Sequence, residues 1–201
     1  MPVPHPNPVE IVLLAAGASS RMRGADKLLE KIDGQTQIRR ISAAAIRTGC
    51  RVWVTLPLGS TARADALQGL DVGLIRVSPA DGDMAQSLRA GVAAVTPGAA
   101  ALILLADLVE VTEADLAQMI ERHSASPGAI LRGCSAKGVP GHPVLFPAWV
   151  LPELSSLSGD TGARAILARH PTKVETVPLP DNHAITDLDT PEDWENWCAA
   201  R

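Results

Sequence analysis

The sequence predicts an α/β protein built on a mostly parallel sheet with helices on both faces. Short apolar runs alternate with helical stretches of ten to fifteen residues along most of the chain. The runs are continuously apolar, as in Ala101-Leu-Ile-Leu-Leu-Ala106, which marks strands covered on both sides. The 201 residues, 46% hydrophobic and 20% charged, suit a single globular domain. That domain is expected over 9–201, after an extended lead-in at 1–8 with prolines at every second position.

The first strand is expected over 9–15, followed by a loop over 16–27. A helix over 35–48 stops at Gly49, a strand runs over 51–56 (RVWVTL), a helix over 61–70 and a strand over 72–77. A helix over 83–95 opens with Asp83 as its cap and Gln86 three residues on. A strand over 101–106 and a helix over 112–124 complete the regular part. Beyond it the order loosens: strands at 129–133 and 144–146 flank a Gly/Pro-rich loop at 137–143. A helix over 159–170, a strand over 173–177 and a helix over 190–200 follow. The last helix starts on Thr190 with Pro191 at its first position, and Glu192 and Asp193 serve its dipole. Trp194 and Trp197, three apart, are expected to pack it onto the sheet.

Net charge is −4, which leaves no broad nucleic-acid footprint, so any basic site is local. Cys50, Cys134 and Cys198 lie far apart in no zinc spacing. No apolar run approaches the roughly 20 residues that span a bilayer, and the start is no secretory signal. A cytoplasmic protein is the simplest reading.

In an open parallel sheet, ligands bind beyond the carboxyl ends of the strands, where the loop 16–27 lies. Gly17 is followed by Ala-Ser-Ser, which fails the dinucleotide pattern, and Met22 stands where a P-loop needs glycine. What remains is a turn of small residues followed by cations. Ala15, Ala16 and Gly17 allow close approach to the backbone, Ser19 and Ser20 add hydroxyls, Arg21 can grip phosphate bidentately and Lys27 is a mobile point charge. The same residues also suit a solvated loop with surface cations. Asp107 ends a buried strand at the ligand edge, where it either caps a turn or holds a Mg²⁺ bound to phosphates. Asp187 and Asp189 alternate with Thr186 and Leu188, so an extended segment points both the same way and offers a second metal carboxylate.

Taken in order, LAAGASSRMRGADKLL, GDMAQSLRAG, LLAD, GHPVLF, GDTGAR and DLDTPED resemble the landmarks of the MobA-like nucleotidyltransferase family. The branch that cytidylylates molybdenum cofactor is the most similar, and the resemblance covers nearly the whole chain after the proline-rich start. It implies a Rossmann-like three-layer α/β/α fold of the nucleotide-diphospho-sugar transferase type. It implies transfer of a nucleoside monophosphate to the phosphate of a small acceptor, with loss of pyrophosphate and Mg²⁺ as cofactor. Ala15, Ala16 and Gly17 would then line base and ribose, Arg21 and Lys27 hold the triphosphate, and Ser87 contact the base. Asp107 would bind the metal with Asp189 or Asp187. The Ala-Ala-Gly form of the loop favours CTP over GTP. His142 and Arg164 would face the acceptor, which is molybdopterin or a sugar phosphate, and a molybdoenzyme or its chaperone would receive the product. A non-catalytic nucleotide-binding regulator would keep the same residues. Two departures stand out: Leu108-Val109-Glu110 replaces a turn that often has proline two residues after the metal Asp, and GHPV replaces GNPV.

Overall fold

The structure, a computed structural model, describes residues 8–78, 84–157 and 163–201, with Ser20 described by its backbone alone. Residues 1–7 of the lead-in, the Asp83 cap and the start of the helix expected from residue 159 lie outside the described residues.

Seven strands form one sheet in the order β5-β4-β1-β6-β8-β7-β9. They are β1 (Val9–Leu14), β4 (Arg51–Pro57), β5 (Gly73–Val77), β6 (Ala100–Leu105), β7 (Ile130–Cys134), β8 (Pro140–Phe146) and β9 (Val174–Pro178). Strand β1 runs parallel to β4 and β6, β4 parallel to β5, and β7 parallel to β9; β8 alone is antiparallel to both neighbours. The predicted mostly parallel sheet is thus present, with the single reversal in the half where the sequence order loosened.

The two sheet faces carry separate cores. Ile11, Leu13, Leu102 and Leu104 face α1 (Gln37–Arg47) and α4 (Glu113–Ala125) through Ile38, Ile41, Leu116 and Met119. Val12, Ala101 and Ile103 face α3 (Met84–Ala94), α5 (Leu151–Ser155) and α6 (Arg164–Arg169) through Leu88, Val92, Leu154 and Ile166. Each fully buried Ile or Leu contributes about 1.5–3 kcal/mol of transfer free energy. Because both faces of β1 and β6 are covered, neither strand shows an alternating sequence, and that is why both were visible as continuous apolar runs.

Several boundaries differ from expectation. Helix α1 begins at Gln37, because 31–36 form a small hairpin, β2 (Lys31–Ile32) and β3 (Gln35–Thr36). Its turn is Asp33-Gly34, both at positive φ (51° and 82°), the dihedrals a two-residue type I′ hairpin requires. Helix α2 (Thr61–Ala66) is shorter than the span expected from residue 61 to 70. Strand β8 starts at Pro140, three residues before the expected end of the Gly/Pro-rich loop. A side chain at Gly141 would put its Cβ 1.9 Å from the Ala184 carbonyl oxygen, so glycine lets the strand and the later segment touch. There the His142 N–H donates to Ala184 (2.8 Å). The final helix α7 (Pro191–Ala199) starts as expected on a Thr190 capping box. Its tryptophans do not meet the sheet: they pack on Met22, Ile32, Val109 and Leu188, a small third cluster beside the 16–27 loop. No helix among the described residues is long and apolar enough to cross a membrane.

Candidate active site

The loop after β1 is held by its own chemistry. The Ala15 N–H donates to Thr55 O (3.1 Å), continuing the sheet one residue past the strand. Ser19 is left-handed (φ 49°, ψ 34°) and begins a short 3₁₀ turn over Ser20–Met22. Asp26 caps a second turn, Lys27–Leu29, by accepting from the Leu28 N–H (3.1 Å). Buried Met22 and Leu28 anchor the two turns in apolar surroundings. With its neighbours pinned, Lys27 points inward. Its Nζ lies 2.7 Å from Asp107 Oδ2 and 2.7 Å from Asp189 Oδ1. Arg21, on the open side, pairs with the other oxygen of Asp189. Arg21, Lys27, Asp107 and Asp189 therefore form one continuous ionic chain, although 168 positions separate Arg21 from Asp189.

Two elements bring the acids together. Asp107 stands just past β6, and the next residue, Leu108, forms an antiparallel bridge with Asp187. Asp193 of α7 accepts from the backbone N–H groups of Asp189 (3.1 Å) and Thr190 (2.8 Å), which fixes the other end of the arm. Leu188, between the two acids, is buried, so Asp187 and Asp189 share the opposite face. Carboxylate oxygens of Asp107, Asp187 and Asp189 all lie within 4.8 Å of one another. Asp107 Oδ1 is buried without a hydrogen-bond partner among the described residues. Three hard oxygen donors and a spare buried lone pair fit a divalent cation.

The charges respond to this crowding. Burial opposes the charge on Lys27, but Asp107 and Asp189 outweigh it and raise its pKa overall. The hydrogen bond from Lys27 lowers the pKa of Asp189, with Arg21 adding to the effect. Asp187 is raised, first by desolvation and then by Asp107 and Asp189.

Beside this ionic chain opens a cleft of about 230 Å³. Ala15, Ala16, Gly17 and Ser19 form one wall, and Met84, Gln86 and Ser87 of α3 form another. Lys27 and Asp107 line it as well. The Ser20 backbone belongs to the loop, and Arg21 stays outside, with 71% of its side chain exposed. His142 lies in β8. Burial, with the nearby charges of Arg132 and Arg164, lowers its pKa to about 4, while Asp107 acts in the opposite sense. Its Nδ1 is buried without a partner among the described residues. Arg164 opens α6, and residues 158–162 just before it lie outside the described residues.

Two contributors escaped the sequence reading. Arg63, in a segment (TARADA) that looks like any exposed helix, is only 3% exposed and grips the 16–27 loop. Glu110 accepts from Thr186 Oγ1 (2.8 Å) and Trp197 Nε1 (3.0 Å), tying the acidic arm and α7 to the end of β6. Local pattern carries no signal for either, because their partners are 37 to 87 positions away.

A MobA-like NTP transferase domain matches residues 11–174. The chain is 30% identical over 190 residues to nicotine blue oxidoreductase of Paenarthrobacter nicotinovorans, covering 90% of this chain and 92% of that one. Among solved structures it is similar to Rv0371c of Mycobacterium tuberculosis H37Rv, at 27% identity and a TM-score of 0.83, over 94% of this chain and 96% of that one. A second structure of Rv0371c, a complex with manganese, matches at 26% identity and a TM-score of 0.78, over 97% of this chain and all of that one. A nucleotidyl transferase from Methanothermobacter shares the fold at 22% identity and a TM-score of 0.80, over 96% and 97% of the two chains. The architecture is that of the nucleotide-diphospho-sugar transferases.

Proposed function

The chain belongs to the MobA-like NTP transferase family, and from that premise we propose that it is a cytoplasmic, Mg²⁺-dependent cytidylyltransferase acting on molybdenum cofactor. It moves CMP from CTP onto the phosphate of molybdopterin and releases pyrophosphate. The observation that carries this reading is the Lys27 ammonium, 2.7 Å from both Asp107 and Asp189, with Lys27 and Asp107 lining the cleft. Cation and carboxylates from remote parts of the chain converge where a triphosphate and its divalent ion need them.

In the reaction, an oxygen of the acceptor phosphate attacks the α-phosphorus of CTP. A P–O–P bond forms, the α–β P–O bond breaks, and its electron pair leaves with pyrophosphate. A phosphate monoester has a second pKa of about 6, so it is a nucleophile at neutral pH and needs no general base. The protein's work is positioning and charge neutralisation. Ala15, Ala16 and Gly17 receive base and ribose, Ser19 and Ser20 line the phosphate turn, and Ser87 meets the base from α3. Lys27 and Arg21 exchange their carboxylates for triphosphate oxygens and offset the charge that grows on the leaving group. Asp107 with Asp189 and Asp187 would hold Mg²⁺, which neutralises the reacting phosphates when bound. His142 and Arg164 face the acceptor, and a molybdoenzyme or its chaperone takes the product.

A second reading comes from the 30% identical relative, whose name is that of an oxidoreductase. One screen separates the readings. Purified protein is mixed with molybdopterin or a sugar phosphate, with CTP, GTP or ATP, and pyrophosphate is measured; a parallel arm supplies nicotine blue as electron acceptor with NADH or NADPH as hydride donor and follows oxidation of the donor. Pyrophosphate from CTP and molybdopterin is expected. Release only with a sugar phosphate moves the acceptor, nucleotide binding without release leaves a regulator, and nicotinamide turnover alone replaces the proposal by redox chemistry.

A further inference from the structure

Arg63 is the third residue of α2 and is 3% exposed. Its guanidinium gathers three points, Ala15, Ser19 and Asp26, spread over eleven positions at and after the end of β1. Nε donates to Asp26 Oδ2 (2.6 Å) and Nη2 to Asp26 Oδ1 (2.8 Å), a bidentate pair. Nη1 donates to the Ala15 carbonyl (2.6 Å), and Nη2 also reaches Ser19 Oγ (3.2 Å). Ser19 Oγ in turn donates to Asp26 Oδ1 (3.3 Å). Arg63 and Asp26 do not border the cleft, whereas Ala15, Ser19 and Lys27, the residues they hold, all do.

We infer that Arg63, with Asp26, is a positioning residue that sets the nucleotide-receiving loop in shape before any substrate arrives. The inference rests on reading the cleft as the nucleoside triphosphate site. Three consequences of the geometry carry it. The Ala15 peptide is fixed from both sides, its N–H by Thr55 and its carbonyl by Arg63. Ser19 holds a left-handed conformation that is unfavourable for a residue with a side chain, and its hydroxyl is tied to both members of the pair. Asp26 is the immediate neighbour of Lys27 and caps its turn, so its orientation sets the direction of the lysine. A buried arginine left unpaired is strongly unfavourable, so the loop is driven to close on this one group. Without the fork, the loop must be ordered by the nucleotide itself, and affinity falls by that cost.

The test uses the full chain with Arg63→Lys, which keeps the charge and removes the planar fork. The second variant is Asp26→Asn, which keeps size and cap acceptor and removes the charge. Nucleotide affinity is measured by calorimetry with CTP and Mg²⁺ at a temperature where circular dichroism shows each variant folded. Mn²⁺ affinity without nucleotide is measured by electron paramagnetic resonance. Arg63→Lys is expected to weaken CTP binding about tenfold or more, the scale of losing one well-aligned charged hydrogen bond. Asp26→Asn should weaken it in the same direction, and the double variant no further than Arg63→Lys alone. Mn²⁺ affinity should not fall, because β6 and the 184–193 arm hold the carboxylates independently, and any release of Lys27 from between Asp107 and Asp189 eases entry of the ion. If the wild type binds CTP and either folded variant binds it equally well, the pair is merely structural and the inference is overturned. Should Arg63→Lys fail to fold, Asp26→Asn decides by the same criterion. A wild type that binds no nucleoside triphosphate sinks the functional reading, and this inference with it.

Discussion

The two sides of the cleft are built on opposite plans. On the side of the loop after β1, the polar side chains of Ser19, Asp26 and Arg63 satisfy one another within the protein. At the end of β6, Asp107, which lines the cleft, keeps Oδ1 buried without a partner among the described residues, as does Nδ1 of His142 in β8, outside the cleft lining. Burying a polar atom without a partner costs roughly 1–3 kcal/mol. Thr36 Oγ1, Ser42 Oγ, His123 Nδ1 and Trp194 Nε1 are buried in the same way among the described residues, so what sets Asp107 apart is its place among three convergent carboxylates. The contrast is between a loop whose polar groups are paired within the protein and a carboxylate cluster that leaves one buried oxygen open to a ligand.

The sharpest way to break this contrast is Asp107→Ala. Pyrophosphate release should fall by about 10²–10³ or more, by analogy with loss of one transition-state stabilising group, with far-UV circular dichroism unchanged. Undiminished Mg²⁺-dependent turnover would remove Asp107 from the site.

His142, another buried group without a partner among the described residues, carries the contrast into pH. In the unfolded chain its imidazole takes a proton near 6.5, whereas burial holds it neutral in the folded protein down to about 4. Between these values the unfolded state binds more protons, so stability must fall as pH drops from 6.5 toward 4, by up to about 3 kcal/mol from this group. Thermal melts from pH 7 to 4 should show the decline, and His142→Asn should flatten it. A slope identical in the variant would place the imidazole in water.

Lys27→Met should separate the two sides by sign. Turnover drops about a hundredfold, yet Mn²⁺ alone should bind more tightly, because an ammonium no longer occupies the space between Asp107 and Asp189. A paramagnetic titration reads this, and weaker Mn²⁺ binding would contradict the shared site. The smallest effect is expected at Glu110→Gln, where the amide keeps an acceptor for one of Thr186 and Trp197 and loses charge at the other. A destabilisation of about 1 kcal/mol in urea, with a few-fold loss of Mn²⁺ affinity, fits the measured scale of single hydrogen bonds. No change in either would free the acidic arm from the end of β6.

Much of the fold was legible because it rests on local chemistry. The strands β1 and β6 are covered on both faces, so their residues are apolar without interruption, and the sequence displays them as runs. The start of α7 on Thr190, with Pro191 at its first position, is written in neighbouring letters, and its capping box closes within three residues. The Asp33-Gly34 hairpin was also written locally, but its two-residue strands are too short for an alternation to register. The tryptophans of α7 were assigned to the wrong surface, since helical spacing tells which residues share a face and not what that face meets.

By itself, then, the sequence determined the α/β class, the order of most elements, and the chemical types gathered in the loop and the acidic segments. Only the tertiary structure decided that β8 runs antiparallel, that Arg63 is buried under the loop, and that Lys27 lies between Asp107 and Asp189. The physical reason is range. Backbone propensity, capping and apolar periodicity act over a few residues and leave a mark on neighbouring letters. A hydrogen bond across 80 or 162 positions leaves none until the chain has folded.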